Sequence, residues 1–467
     1  MKISLFLLLR IMSSFWEIMI LIIYCFLLGS YPRRDMMKRI KTVKINEYKE
    51  IRNNIDVEYN EYLNPEYVYY SIDNCECLKN KGDYVFLGEK ILLDKENDLY
   101  IHSSVSGYIE EEQEEMLSKS NQLANCLKIK NDYKEVKSSD YHKIDVLDKE
   151  SLIKLLKEKG IVGLGGGGFP AYKKIANDIN TLIVNACECE PFLNVDKQLI
   201  YLKYKEIIKC LKTLIKLLDL NKVYIALKNT KLKLINLLNK EIRKNSLEEY
   251  IKIRLMKDAY PVGYERYLIN DICKKYDFKY PSDINVCVFN VYTIYSIFEA
   301  IELGKPLIEK MVSFNGDGIE KAMDIYLKIG TNLKELNEKI NKFINKDEKM
   351  YLIVGGPMTG ESLRGDLYAI GKTDSNFTLM NLKEKYQSEA CMGCGRCNLF
   401  CPVSLTPILI LDAYKRKDKD EIKKLNVNKC VNCGICSYVC PSRLELTSTM
   451  QLAKKQIMKR GKYDENK

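Results

Sequence analysis

Eight cysteines fall in two runs, CMGCGRCNLFCP and CVNCGICSYVCP. Cys391, Cys394, Cys397 and Cys401 precede Pro402, and Cys430, Cys433, Cys436 and Cys440 precede Pro441. Three thiolates at steps of three can wrap one face of an iron–sulfur cubane, while the fourth, ahead of a helix-stopping proline, points elsewhere. In the two-cluster arrangement with this spacing, the fourth cysteine of each run ligates the other cluster. Cys391, Cys394, Cys397 and Cys440 are therefore assigned to one [4Fe–4S] centre, and Cys430, Cys433, Cys436 and Cys401 to a second. Structural zinc favours isolated C-x2-C pairs, and disulfides are disfavoured in a reducing compartment. The chemistry these residues suit is electron transfer.

A second constellation lies upstream. GIVGLGGGGFPAYKK (160–174) carries Gly163, Gly165, Gly166, Gly167 and Gly168, closed by Phe169-Pro170, with Lys173 and Lys174 close behind. Backbone N–H groups without side-chain shielding can cradle a phosphate, helped by a helix dipole and lysine charge. It is not a Walker A loop, since no Gly-Lys-Ser/Thr closes it. Taken alone, such a run reads equally as a flexible turn. Next comes TLIVNACECEPF (181–192), an apolar strand ending in Asn185, Cys187, Glu188, Cys189, Glu190 and Pro191. Ligands of open α/β sheets bind at strand carboxyl ends, so Asn185, Glu188 and Glu190 are placed to meet sugar hydroxyls or ring nitrogens. Cys187 and Cys189 are read as structural thiols and not as a third metal site.

The elements that must position these groups follow from the apolar pattern. TLIVNA (181–186), VYIAL (223–227) and YIKIRLM (250–256) read as strands alternating with helices over 203–218 and 230–244, which predicts a parallel α/β sheet. Residues 64–109 read as short strands and turns, in two half-units, KGDYVFLGEKIL and IHSSVSGYIEEE. They look like a barrel-sandwich domain of the biotinyl/lipoyl type, in which Lys95 stands near a carrier position but reads as solvated. Residues 112–150 are charged and turn-rich, as in a linker. Residues 306–350 suggest a small α+β module with an amphipathic helix around 333–344, and residues 381–467 hold the cysteine runs.

The chain has 467 residues, enough for several domains. Its net charge of +11 is spread along Lys-rich text, with no basic patch interleaved with aromatics, which argues against nucleic acid. Attraction to an anionic membrane surface or an acidic redox partner fits. Only His102 and His142 are present, which argues against His-based acid–base catalysis or a His-rich metal site. The cysteines outside the two runs make an odd set with no even framework, expected to be mostly small buried hydrophobes. Residues 1–36 form an apolar leader broken by Arg10 and Glu17. It reads as translated sequence upstream of a true start at Met37 or Met36, or otherwise as a membrane anchor.

In collinear order, GLGGGGFPAYKK, NACECEPFL, YPVGYERYLI (260–269), FNVYTIYSI (289–297), GKPLIEK, GDGI and the doubled cysteine motif resemble the C subunit of the Rnf electron-transport complex. The resemblance covers about residues 65 to 457, and the glycine loop and acidic strand end also look like the flavin subunit of respiratory complex I. It implies a multidomain α/β protein: a barrel-sandwich over 60–135, an FMN- and NADH-binding α/β domain over 150–305, a β-grasp module over 306–360, and a two-cluster ferredoxin-type domain over 381–467. It implies non-covalent FMN in the glycine loop with NADH stacked on it. Gly163, Gly165 to Gly168, Phe169 and Lys174 would hold the phosphate side. Asn185, Glu188 and Glu190 would face flavin and nicotinamide ribose, and Asn290 with Thr293 would approach the ring.

Three positions depart from the family: Phe289 where a second Asn is usual, Ala171 for Thr, and Ala186 for Gly. A Gly-Gly-His-Pro-like opening is missing before residue 65. The expectation is an NADH-linked flavin/iron–sulfur oxidoreductase subunit, cytoplasmic and peripheral on the cytoplasmic face of the membrane, with other subunits of an electron-transport complex as partners. One alternative is a soluble relative feeding a partner reductase of the proline reductase or corrinoid type. Another is a flavin-free iron–sulfur relay. No general acid or nucleophile is required of the chain.

Overall fold

The computed structural model describes residues 42–43, 61–110, 114–320, 322–340, 349–382 and 387–464. The leader and both start-codon candidates lie outside them.

Strands Thr181–Ala186, Lys222–Lys228, Ile251–Met256 and Val286–Asn290 form one all-parallel sheet. The first strand lies at its centre, with Lys222–Lys228 and then Ile251–Met256 on one side and Val286–Asn290 on the other. Three of these strands are largely buried, as parallel strands covered by helices must be, and read as apolar runs, whereas Ile251–Met256 at the sheet edge exposes Lys252 and Leu255. Helices Val195–Leu217, Leu232–Lys244, Glu265–Cys273 and Val291–Leu303 connect and cover them. The first starts eight residues before the expected 203. Its backbone leaves helical geometry at Lys203, so the apolar periodicity is interrupted there and only its second part shows in the sequence.

The N-terminal unit pairs two small sheets. One holds Tyr67–Ser71, Leu123–Asn131, Gly107–Ile109 and Tyr84–Val85, with Glu114–Leu117 against Leu123–Asn131. The other holds Cys75–Cys77, Lys90–Asp94 and Leu99–His102. The linker expected over 112–150 is corrected here. Leu127 and Ile129 alternate inward along Leu123–Asn131, which makes that segment an inner strand despite its charged neighbours. Lys95 sits in a turn, ion-paired with Glu76 at 3.4 Å and largely exposed. One apolar core runs from Val68, Val85 and Ile129 into Leu182, Val184 and Ile294, so this unit and the parallel sheet are packed as one body.

A mixed six-stranded sheet follows, in the order Glu61–Leu63, Met323–Lys328, Glu309–Asn315, Asn376–Asn381, Met350–Val354, Glu361–Ser362. Helix Leu333–Ile340 packs on it through Leu333 and Leu336. In the C-terminal module, short helices Arg396–Leu399 and Ile435–Tyr438 each start at a left-handed glycine, Gly395 and Gly434. Helices Pro407–Lys415, Lys419–Lys424 and Leu446–Asp464 enclose Ile410, Ile422, Val427 and Met450.

Helix Val291–Leu303 is buried almost all round and ends at Gly304, whose φ is 63°. A Cβ at Gly304 would lie 1.8 Å from the His142 carbonyl oxygen. Gly304→Ala should therefore destabilise by more than about 1 kcal/mol, since it adds both a strained φ and a backbone clash. A thermal melt several degrees below wild type is the expected result, and an unchanged melt would show that the 142–143 backbone yields.

Candidate functional site

The sheet order reverses between the first strand and the last, so the crossovers leave that pair in opposite directions and open a crevice at their carboxyl ends. Asn185 and Asn290 are paired there across the two strands. The glycine loop fills the crevice mouth. It is pinched shut by Gly163 N–H to Phe169 O at 2.8 Å and Gly168 N–H to Gly163 O at 3.1 Å. Leu164 N–H donates to Thr293 Oγ1 at 2.9 Å, which ties the loop to the first turn of the buried helix. A Cβ at Gly166 or Gly167 would meet nothing within 4 Å, so this stretch of backbone faces open space. A Cβ at Gly165 would come within 3.3 Å of Asn290. The backbone of Gly166 and Gly167 is thus presented bare at a strand end, while the N–H groups of Gly163, Leu164 and Gly168 hold the loop closed.

The loop forms one wall of a cavity of about 1120 Å³. The strand ends supply the floor with Asn185, Glu188, Asp196 and Asn290. Glu188 accepts from the backbone N–H groups of Asp196 at 2.7 Å and Lys197 at 3.2 Å, so it caps the helix that begins at Val195. Asn290 donates from Nδ2 to Asp196 Oδ2 at 2.7 Å. Burial first, and then the Glu188 charge beside it, pushes the Asp196 carboxyl up to about 8. Burial raises Glu188 as well, offset by the Asp196 and Lys197 N–H groups that its two oxygens accept, so the pair resists carrying two charges.

The opposite wall comes from the mixed sheet, through Gly355, Gly356, Thr373 and Asn376. Asn376 Oδ1 is buried and has no hydrogen-bond partner among the described residues. Lys119, from the hairpin loop before Leu123–Asn131, reaches this wall, bonded to Thr373 Oγ1 at 2.9 Å and Asp374 at 2.6 Å.

Glu190 joins the two walls. Its Oε1 accepts from Met358 N–H at 2.6 Å and Thr359 N–H at 3.1 Å. A Cβ at Gly356 would fall 2.1 Å from the Glu190 Cγ, so the loop closes over this carboxylate only with glycine there. The far side of the same loop meets the cysteine module, where a Cβ at Gly434 would lie 2.5 Å from Met358 O. Tyr260 Oη donates to Cys433 O at 2.7 Å, and Tyr260, Cys189, Met358, Cys433 and Ile435 pack together. Cys433 therefore lines the same cavity as the glycine loop.

The cysteines form two neighbourhoods. The Cys433 thiol is pushed up to about 12 by burial and then by the thiols of Cys436, Cys401 and Cys430. Cys436 is pushed up to about 11 by burial, with Cys430 and Cys401 adding to it. Burial also raises Cys397, with Cys440 and Cys391 next to it. Such clustered, unpaired thiols suit a site whose positive irons displace the protons. Backbone N–H groups of Leu405 and Asn432 already point at Cys401 Sγ (3.2 Å) and Cys430 Sγ (3.4 Å). Among the described residues no three ligating side chains converge on one ion-sized point. A cubane does not require that, since each thiolate takes its own iron at a separate corner.

The expected flavin-site residues gather at this cavity, with varied duties. Asn185 is occupied by Gly263 O at 2.8 Å and Cys187 N–H at 3.1 Å. Lys174 is held by Glu265 and Val288 O, both at 2.9 Å. Thr293 is buried beneath the loop and acts through it, whereas Phe169 is about half exposed at its mouth. Cys187 is buried past the strand end among apolar side chains. Asp196, Tyr260, Gly356 and Lys119 escaped the sequence reading. The local signals among them were the Gly-Gly pair at 355–356 and the YPVGYERYLI motif that Tyr260 opens.

Residues 156–299 match the family described as "Nuo51 FMN-binding domain", and residues 383–458 match "4Fe-4S dicluster domain". The chain is 32% identical over 364 residues to the C subunit of the ion-translocating oxidoreductase complex of Buchnera aphidicola (subsp. Acyrthosiphon pisum), covering 73% of each. It is 29% identical to the C subunit of the Na(+)-translocating ferredoxin:NAD(+) oxidoreductase complex of Acetobacterium woodii, over 82% of this chain and 88% of that one. A NAD+-reducing [NiFe]-hydrogenase in the H2-reduced state aligns with 66% of this chain and 60% of its own, at 16% identity and a TM-score of 0.48. That likeness is too loose to carry weight.

Glu190→Ala removes two hydrogen bonds to a charged acceptor, each worth about 1.5–3 kcal/mol. Hydrogen exchange should show lost protection at Met358 and Thr359 and across residues 430–440. Protection equal to wild type would contradict the junction's role.

Proposed function

This chain belongs to the family of C subunits of ion-translocating oxidoreductase complexes, and on that premise we propose that it passes electrons between NADH and two [4Fe–4S] clusters by way of FMN. The observation that carries this is the shared cavity: the bare glycine loop and the cysteine module's Cys433 are walls of the same space. Bound FMN exchanges an electron pair as hydride on one side and single electrons on the other, while the clusters carry single electrons.

The chain's own residues fit that cofactor. Within the run Gly163 and Gly165–Gly168, the N–H groups of Gly165, Gly166 and Gly167 are the backbone donors for the phosphate side, those of Gly163 and Gly168 close the loop, and Phe169 and Lys174 border it. Asn185, Glu188 and Asn290 shape the floor beneath the ring and the nicotinamide ribose, Glu190 closes the wall beside them, and Thr293 supports the glycine loop from below. The cavity exceeds the usual small-ligand range of about 300–1,000 Å³, so a second flat ligand can stack on the first. The position of Cys433 on its wall supports taking the cluster of Cys430, Cys433, Cys436 and Cys401 as the one nearest the flavin. Cys391, Cys394, Cys397 and Cys440 then hold the outer cluster, and Cys391 and Cys394 are solvent-exposed. The thiol neighbourhoods around Cys433 and Cys397 support this division.

The finer architecture belongs to the same reading. The paired small sheets over 60–135 are the barrel-sandwich, 150–305 is the flavin domain, the mixed sheet built from 306–360 and its neighbours is the β-grasp module, and 381–467 is the cluster domain. Among the described residues no helix is long and apolar enough to cross a membrane. The chain sits peripherally on the cytoplasmic face, delivering electrons to other subunits of the complex.

Anaerobic reconstitution with iron, sulfide and FMN tests the proposal. NADH should bleach the cluster absorbance, and Cys401→Ser should lose the cluster of the downstream run while Cys440→Ser loses that of the upstream run. Clusters reduced by dithionite but never by NADH would defeat the NADH-linked reading.

A further inference from the structure

Asp196 occupies the first turn of helix Val195–Leu217 and lines the cavity floor. Its Oδ2 is fixed by the Asn290 amide at 2.7 Å, and no hydrogen bond to its Oδ1 occurs among the described residues. Nor does any cation among them bond it directly. The charged groups facing it come from two other elements. Glu188 at the strand end is held by backbone N–H, with Lys231, Lys197 and Asp324 around it. Lys310, on strand Glu309–Asn315, is fully buried, with its Nζ bonded to Lys372 O at 3.0 Å and Ser375 Oγ at 3.1 Å. Asp374 and Lys119 stand beyond Lys310.

A carboxyl in that setting has reason to stay neutral. A second ionised carboxylate beside Glu188 would be a like charge in a desolvated floor, and the Lys310 charge is itself disfavoured by burial. A neutral Asp196 differs from Asn290 and Glu188 in having a donor that its surroundings leave free. The adjoining glycine loop is where the flavin would be held, so that donor is available to the bound ring.

We propose that Asp196 holds a proton at Oδ1 and donates it in a hydrogen bond to an acceptor atom, a carbonyl oxygen or ring nitrogen, of the flavin ring bound in this cavity. The inference rests on the flavin reading above and adds a cofactor-contacting residue to it. Asp196 steadies negative charge on the ring without supplying a fixed cation, and flavin binding becomes linked to one proton.

The test is FMN affinity of the flavin-stripped, cluster-loaded full chain between pH 7 and pH 9, read by quenching of flavin fluorescence. The second ionisation of a phosphate monoester lies near pH 6, below this window. Because burial and Glu188 put the carboxyl at about 8, wild-type affinity should fall as pH rises through that value, by about tenfold from pH 7 to pH 9. Asp196→Asn keeps a donor and removes the titration, so its affinity should stay level across the window. A level wild-type profile, or an Asp196→Asn profile that falls as wild type does, overturns the inference while leaving the flavin site intact. No FMN uptake by the wild type at any pH overturns the flavin reading and this inference together.

Discussion

Everything the site does depends on one buried carboxylate. Glu190 leaves the end of strand Thr181–Ala186 and is closed over by the loop 355–360, whose Met358 and Thr359 amides point at its Oε1. A charged acceptor buried this deeply is stable only with such donors, so removing them costs more than the two bonds alone. The loop that satisfies Glu190 also abuts Gly434 through Met358 O, and Tyr260 pins the adjacent Cys433 carbonyl. Three parts of the chain, remote in sequence, thereby meet within a few residues. The result is a cysteine module seated against a ligand cavity and not tethered beside it.

The second constraint is electrostatic. The cavity floor carries two carboxyl groups with few counter-charges, the buried Lys310 faces them from the mixed sheet, and each is held by backbone, amide or hydroxyl groups. Fixed dipoles in place of mobile ions keep the floor's geometry constant when charge arrives in the cavity, which is what an electron-transfer site needs. The same logic appears at the thiols, where N–H groups of Leu405 and Asn432 stand ready at Cys401 and Cys430.

Much of this was legible in the sequence. The doubled cysteine spacing named its chemistry without help, because ligand spacing is a local property. The strand Thr181–Ala186 was readable to the residue, since a parallel central strand is apolar throughout. Long-range closure was not readable. Glu190 looked like a ligand-facing acid, and nothing near it in sequence says that Met358 will cover it. Leu123–Asn131 was hidden by the exposed Asn125 and by Lys128 and Lys130 on its outer face, and the start of helix Val195–Leu217 by its break at Lys203. Asp196 gave no signal because its burial, and the Asn290 amide that fixes it, come from parts of the chain far from the Glu188 that stands near it in sequence.

The central claim is that the Cys433 cluster stands between the flavin cavity and the outer cluster. Anaerobic rapid mixing with NADH tests it most directly, in two reconstituted variants that each keep one cluster. In Cys391→Ser/Cys394→Ser, the remaining inner cluster should bleach at the wild-type rate. In Cys430→Ser/Cys436→Ser, the remaining outer cluster should bleach with dithionite yet stay oxidised on the time scale of the wild-type reaction with NADH. The opposite pattern, with the outer cluster reduced promptly and the inner one left oxidised, would contradict the claim.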